Sequence, residues 1–546
     1  MEVPATIQDL IRARIDRLDE PVKRTVQAAA VIGREFGLRL LTRISEVAAE
    51  VQDYLDTLKH AELIHETRVF PELEFIFKHA VIQDVAYQGL LAQRRRDLHA
   101  AIGQAMEDLY ANRLAEQADI LAYHYARSAH RDKAVTYALL AGDHAVRLHA
   151  RAEATTHYAE ALRLARELPG SPGAQRRQID VVLKLAAVGA SREDMERDQA
   201  NLDEAHALAK ALEDAPRLSQ ILYWQSRLAY VRGDLAAAIP PAEQSLALAE
   251  GLADETLSAP PVNLLGRIYT MQWECARGSQ LLARSAAQMH QLGNRAEEAT
   301  AAGFAGVAFG FLGEFASALP HADRGVEIAR DLHDPFAEAA ALHYRSMVHD
   351  QQGAWEQALR DWDTARRLAE GVGDRFRVYV VSLWSGWAAT KAGNPALGRS
   401  LLEQALALAD QLGTTLQVAL GNAFLAACRV ALSDLETVPA RCQEALQTAD
   451  PLVRAVASRA LGEALSRETT VPPPQAEQAI GDAIRLFKEL GFRPELARSY
   501  VCHARLLQQW GQRETATRYL SEAIVMFRDM GMAWDLERAE QALREL

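Results

Sequence analysis

The sequence predicts a mainly α-helical protein in which a small mixed module, residues 1–100, precedes a long array of repeated helix pairs. Three observations carry this expectation. Hydrophobic residues make up 49% of the 546 but aromatic residues only 7%, and with abundant Ala and Leu that composition favours close-packed helices over sheets. Near the start, the hydrophobic spacing changes from helical to strand-like after residue 60 and returns to helical near residue 80. Past residue 200, small side chains recur at fixed offsets from a series of turns.

In the first hundred residues, Ile7, Leu10, Ile11 and Ile15 share one helical face. Pro21 opens a second helix through Val22, Val26 and Ala30, because proline is pre-set for a first helical turn, and Gly33 breaks it. Leu38 and Leu41 mark a third helix; Val47, Val51, Tyr54, Leu55 and Leu58 mark a fourth. Leu63-Ile64-His65-Glu66-Thr67 and Leu73-Glu74-Phe75-Ile76-Phe77 are β-prone runs joined around Pro71, which predicts a hairpin. A helix from about Ala80 to Leu91 follows, then Arg94-Arg95-Arg96. Helices followed by a two-stranded wing describe a winged helix. Such modules often bind DNA, but this one carries 14 basic and 16 acidic side chains, a balance that argues against a phosphate-coating surface.

Beyond residue 100 the strand signals fade. Residues 101–200 read as a helical linker with first irregular repeats: Ala134, Ala138 and Ala141, and then Ala154, Tyr158 and Ala161, have helix-pair spacing, whereas 168–200, with Pro169 and Pro172, reads as an irregular join. Residues 201–546 read as an α-solenoid. Turns fall at Gly233, Trp273, Gly313, Gly353, Gly393 and Ser433, 40 residues apart, then at Val471 and Gly511. Seven residues before them stand Ser226, Gly266, Gly306, Ser346, Gly386, Ala426, Ala464 and Ala504. Five after stand Ala238, Gly278, Ala318, Ala358, Gly398, Ala476 and Ala516, with Val438 the exception. Twelve after come Ser245, Ser285, Gly325, Ala365, Ala405, Ala445, Ala483 and Ala523. Two antiparallel helices joined by a tight turn approach closely only where neither side chain is bulky, and larger residues such as Trp362, Leu402 and Leu520 fill the gaps between. Pro472-Pro473-Pro474 marks a lengthened turn.

This arrangement resembles the tetratricopeptide repeat, whose helix pairs recur every ~34 residues; the longer period here adds a little over one helical turn to each pair. The resemblance covers about residues 215–530 and implies a right-handed superhelix whose first helices line a concave groove. Carried onto this chain, the groove offsets select Tyr223, Arg227, Tyr230, Asn263, Arg267, His343, Asp350 and Trp387. Aromatics with a few arginines suit a protein or peptide ligand, offering contact area and bidentate hydrogen bonds. Tyr223 and Trp387 equally suit half-buried packing between helices.

Several N-terminal stretches carry a second resemblance. Val3-Pro4-Ala5-Thr6-Ile7-Gln8-Asp9-Leu10-Ile11 leads to Arg14-Ile15-Asp16-Arg17-Leu18; Ala28-Ala29-Ala30-Val31-Ile32-Gly33-Arg34-Glu35-Phe36, Phe75-Ile76-Phe77-Lys78-His79-Ala80 and Arg94-Arg95-Arg96-Asp97-Leu98-His99 follow. Over about 1–167 the chain is similar to the region after the ATPase core in bacterial STAND-type signalling ATPases, above all those fused to class III adenylate/guanylate cyclases. In that family the order is cyclase, P-loop ATPase, winged helix, then tetratricopeptide-like sensor. The resemblance implies a nucleotide-dependent switch in which the helical arm senses a ligand and releases the ATPase. It also implies that His79 matches a histidine contacting the bound ADP phosphate, through an imidazole N–H; packing or capping at the start of its helix is the alternative role. The chain departs from the family in having no GxxxxGK[ST] and no paired aspartates of a cyclase core. It is expected neither to hydrolyse ATP nor to make cyclic nucleotide, and to be either a split product or a free regulatory half.

Other chemistry is sparse. No HExxH, GxSxG or metal-spaced carboxylate cluster occurs, His124 and His130 do not share a helical face, and Gly371-Val372-Gly373 follows a helix rather than a strand. Cys275, Cys428, Cys442 and Cys502 lack CxxC spacing. The net charge of −13, the lack of a secretion signal and the absence of a long apolar run predict a cytoplasmic protein without a membrane span. The expectation is a non-enzymatic regulator and scaffold without cofactors that binds a protein, peptide or small ligand in its repeat groove and controls a P-loop signalling ATPase or nucleotide cyclase. The alternative is a transcriptional regulator whose winged helix touches DNA and whose repeat arm senses a ligand.

Overall fold

The computed structural model describes residues 5–45, 48–68, 72–148, 150–189, 195–415, 417–467 and 474–546. The chain divides into two compact units, Met1–Trp224 and Gln225–Leu546. Val47, Pro71, Val471, Pro472 and Pro473 lie outside the described residues.

In the first unit, helices α1 (Ala5–Asp16), α2 (Glu20–Ile32), α3 (Leu38–Ile44) and α4 (Val51–His60) surround a small antiparallel sheet. The expected hairpin is strands β2 (Ile64–Arg68) and β3 (Glu74–Phe77), and a further strand, β1 (Glu35–Gly37), pairs with β3 to give the order β1-β3-β2. This strand is three residues long, too short for an alternating pattern to show in sequence. It aligns Phe36 with Phe75, and the two rings stack at 5.7 Å, with Phe77 5.6 Å from Phe36. Of the expected face of α1, Ile11 and Ile15 are buried, while Ile7 and Leu10 are exposed.

Helices α5 (Ala80–Gln88), α6 (Ala92–Leu109), α7 (Ala118–Ala126), α8 (Arg131–Arg147), α9 (Arg151–Arg166), α10 (Pro172–Val188) and α11 (Met195–Ala211) continue the unit, and α12 (Ala215–Val231) carries the boundary. The segment read as an irregular join is largely helical. Ser171 caps α10 by accepting from the Ala174 N–H at 3.2 Å, so Pro172 becomes a first-turn residue rather than a breaker.

Between α6 and α7 two buried imidazoles meet, His99 Nδ1 and His124 Nδ1 at 2.9 Å, with the Tyr87 hydroxyl 3.1 Å from His99 Nε2. Burial, reinforced by Arg127, pushes His99 down to about 4 and His124 to about 3. Because the folded-state pKa values lie below the ordinary histidine value, neutral imidazoles favour folding above about pH 6.5, and that contribution is lost as pH falls toward 4. The melting midpoint of the full chain is therefore expected to fall across this window, and to fall less steeply in His124→Asn; equal slopes by circular dichroism would contradict the pairing.

The second unit contains α13 (Leu235–Gly251), α14 (Glu255–Met271), α15 (Cys275–Gln291), α16 (Arg295–Leu312), α17 (Phe315–Asp331), α18 (Pro335–Gln352), α19 (Trp355–Gly371) and α20 (Arg375–Lys391). It continues through α21 (Pro395–Leu412), α22 (Val418–Ala431), α23 (Val438–Leu446), α24 (Pro451–Arg467), α25 (Pro474–Glu489), α26 (Arg493–Gln509), α27 (Arg513–Met530) and α28 (Ala533–Arg544). Even-numbered helices up to α26 are the first members of pairs. Left-handed backbone occurs at 213, 233, 253, 273, 293, 313, 333, 353, 373, 393, 413 and 433, every 20 residues, so turns within and between pairs share one geometry. Many are followed by a cap: Asp234, Asp254, Asn294, Asp334, Asp374 and Asn394 each accept from a backbone N–H of the next helix. Trp273 takes the left-handed position without being glycine, with φ 67°. Its indole N–H donates to Asp450 at 3.1 Å and its ring packs against Phe311 and Phe492, contacts that offset the strain.

The small positions sit where the helices of a pair cross. A β-carbon on Gly386 would lie 3.0 Å from the Gly398 carbonyl oxygen, and one on Gly398 2.8 Å from that of Gly386. Both obstacles are backbone, which cannot swing aside. Gly398→Val is expected to destabilise this unit by about 1–3 kcal/mol, read as a lower urea midpoint; an unchanged midpoint would mean the pair has slack.

Candidate functional site

The first-helix face of the second unit carries two polar assemblies. One is a ladder of rings and guanidinium groups, all partly exposed: Tyr230, Arg267, Phe304, Tyr344 and Arg377. Arg267 on α14 donates to the Tyr230 hydroxyl at 3.1 Å and lies 5.0 Å from the Tyr230 ring centre and 5.1 Å from that of Phe304. Phe304 on α16 and Tyr344 on α18 are 4.6 Å apart, and Arg377 at the start of α20 lies 5.8 Å from the Tyr344 ring. Each is contributed by the next first helix, so the stacking of pairs aligns them. Beside the ladder, Asn263 donates to Glu297 at 2.9 Å while its own Oδ1 is buried without a donor. Burial works against the Arg267 charge, but Tyr230, Tyr344 and Glu297 outweigh it and hold its pKa above the ordinary value.

The other assembly is a buried cluster of three carboxylates and three cations. Lys391 reaches Asp350 at 2.7 Å and Glu495 at 3.2 Å; Arg459 reaches Glu495 at 2.8 Å. Arg498 reaches Glu495 at 2.8 Å, grips Asp535 with two bonds of 3.0 Å, and donates to the Gln351 carbonyl at 3.0 Å. The rings of Trp355 and Trp387 face the cations: Lys391 lies 5.3 and 5.2 Å from them, Arg498 5.0 Å from Trp355 and Arg459 5.8 Å from Trp387. This cluster joins α18 and α20 to α24, α26 and α28. Asp350 and Glu495 shift in opposite directions. Burial raises Asp350 despite Lys391 and Arg498, whereas Glu495, equally buried but touching three cations, is held well below the usual carboxylate range.

Tyr230 and Arg267 thus come together in the ladder, with Asn263 beside it on α14, and Arg227 is half-buried on α12. Tyr223 belongs to the first unit, where its ring meets Trp224 at 5.2 Å. His343, next to Tyr344, is buried and accepts from the Trp362 indole N–H at 3.0 Å, and burial together with Arg377 holds its pKa well down. Asp350 and Trp387 are 0% and 5% exposed; the surface expected to meet a ligand meets later helices of the same chain. Trp387 stacks on Phe424 at 4.7 Å. His79 is exposed at the start of α5 and its side chain makes no capping bond. Sequence reasoning missed Phe304, Tyr344, Arg377 and Glu297. A signal was present for the rings, since Trp224, Phe304, Tyr344, Trp384 and Phe424 fall on one 40-residue series.

No family model matches the chain, and no curated protein matches it in sequence. Among solved structures, a Signal Transduction ATPase with Numerous Domains protein with a tetratricopeptide repeat sensor, from Pyrococcus horikoshii, is similar with a TM-score of 0.51 and 12% identity, over 79% of this chain and 63% of that one. A Rap protein complexed with Competence and Sporulation Factor is similar with a TM-score of 0.50 and 10% identity, over 65% of this chain and 98% of that one. The likeness establishes the fold, an array of tetratricopeptide-like helix pairs, and the chain spans 63% of the length of the Pyrococcus protein.

Proposed function

We propose that the chain is a non-catalytic regulatory protein whose first-helix face takes a peptide or protein segment and controls a signalling ATPase or nucleotide cyclase. The observation that carries the reading is the ladder: partly exposed rings and guanidinium groups aligned across successive helix pairs, on the face a tetratricopeptide array offers to ligands. The two similar structures support it by their described roles, one with a sensor of this repeat and one bound to a signalling factor. The helices and β2–β3 wing of the first unit fit a winged-helix module, and His79, exposed at a helix start, is free to meet a nucleotide held by a partner ATPase.

The DNA-binding alternative is less favoured. Arg95 donates to the Leu90 carbonyl at 3.0 Å beside the Tyr87 ring, and Arg96 bonds Gln93 at 3.0 Å, so part of the basic run is engaged within the chain. The control role is tested by capturing the tagged chain from its host lysate and identifying what stays bound by mass spectrometry. Recovery of a P-loop ATPase or cyclase is expected; a folded chain that recovers neither would count against control of such an enzyme.

A further inference from the structure

Several buried and half-buried arginines of the second unit are held by carboxylates at ion-pair distance. Arg345 grips Asp361 with bonds of 2.7 and 3.0 Å, Arg459 holds Glu495 at 2.8 Å and Arg498 holds Asp535 at 3.0 Å. Arg267 and Arg377 are different. Arg267 has a phenol and two rings for company, no carboxylate within 4.0 Å among the described residues, and a buried Nε without an acceptor. Arg377 has only a 3.9 Å approach to Asp374, whose carboxylate is already accepting from a backbone N–H at 2.9 Å, and its Nε also lacks an acceptor. Nearby, Asn263 is 4% exposed with an unused Oδ1. A partly desolvated cation served only by a distant carboxylate is under-compensated, and here two of them flank the Phe304–Tyr344 ring pair on a partly open face, Arg267 with Glu297 beyond ion-pair distance and Arg377 with Asp374 at 3.9 Å.

Resting on the reading of this face as a peptide-binding surface, we propose that its ligand is an acidic peptide segment. Its carboxylates accept from Arg267 and Arg377, an apolar or aromatic side chain between them lies on Phe304 and Tyr344, and a backbone N–H donates to Asn263 Oδ1. Arginine suits this task because its planar fork binds carboxylate with two parallel bonds and stacks on rings without losing them. The chain's own acidic balance disfavours non-specific capture of such peptides, so selection falls to the ladder.

The test uses the full chain on an array of ten-residue peptides in three classes: acidic with one aromatic residue, neutral with the same aromatic residue, and lysine-rich with the same aromatic residue. Wild-type protein is expected to bind the acidic class, and Arg267→Gln and Arg377→Gln each to weaken that binding at least about tenfold, the effect of one charge-assisted hydrogen bond, with unchanged melting midpoints. Equal binding of all classes, or binding untouched by both substitutions, would overturn the acidic specificity while leaving the peptide-binding reading intact. Failure of folded wild-type protein to bind any class would overturn both.

Discussion

Replacing Glu495 by glutamine is expected to destabilise the second unit by about 3–5 kcal/mol, the range for removing one partner from a buried ionic cluster. Glu495 is 4% exposed and touches Lys391, Arg459 and Arg498. Its loss leaves the remaining carboxylates, Asp350 and Asp535, facing three largely buried cations. The control is Glu370→Gln, on a partly exposed helix surface where Arg366 sits at 2.8 Å; such pairs contribute about 0.3–0.5 kcal/mol. Near-ultraviolet circular dichroism during urea unfolding reads both, and similar midpoint shifts would show that the cluster is wetter than its burial implies. The Glu495 pKa is lowered on folding, so its share of stability is present above the ordinary carboxylate pKa of about 4.3 and is lost as pH falls through the folded-state value.

Trp387→Ala is expected to cost about 3–5 kcal/mol, typical of emptying a buried aromatic site. The ring stacks on Phe424 with only 3° between planes and faces Lys391 and Arg459, so the substitution opens a cavity and uncovers two cations together. Peptide affinity, measured below the melting range, is expected to stay within about twofold, as for a site without shared partners. A variant of unchanged stability that no longer binds peptide would instead make Trp387 a ligand contact.

Much of the repeat was legible because packing distance leaves a mark that one sequence displays. Gly386 and Gly398 had to be small, and the turns at Gly313 and Gly353 had to tolerate left-handed backbone. Some of the turns between pairs, those at Ala253 and His333, were harder to see because their positive φ is held by non-glycine residues, yet the Asp that follows each is a readable cap. The candidate site was only half legible. Offsets from a turn give the face a side chain occupies within its own repeat and selected Tyr230, Asn263 and Arg267, which lie on or beside the ladder. They carry no information about residues more than 100 positions away, such as Glu495 against Lys391 or Arg498 against Gln351. Asp350 and Trp387 therefore read as groove residues although later helices cover them. In the N-terminal module the hairpin declared itself by two β-prone runs joined around Pro71, and β1 was too short to do so.

The central claim is that one face of the repeat array is divided, with the ladder left for a ligand and the charge cluster closed by the chain itself. Hydrogen–deuterium exchange on the full chain, with and without an acidic, aromatic-containing peptide, tests it most directly. Slowed exchange is expected in the segments around Tyr230, Arg267, Phe304, Tyr344 and Arg377, with those around Lys391, Glu495 and Asp535 already slow and unchanged. Protection confined to the cluster segments, or a cluster that exchanges rapidly without peptide, would contradict it.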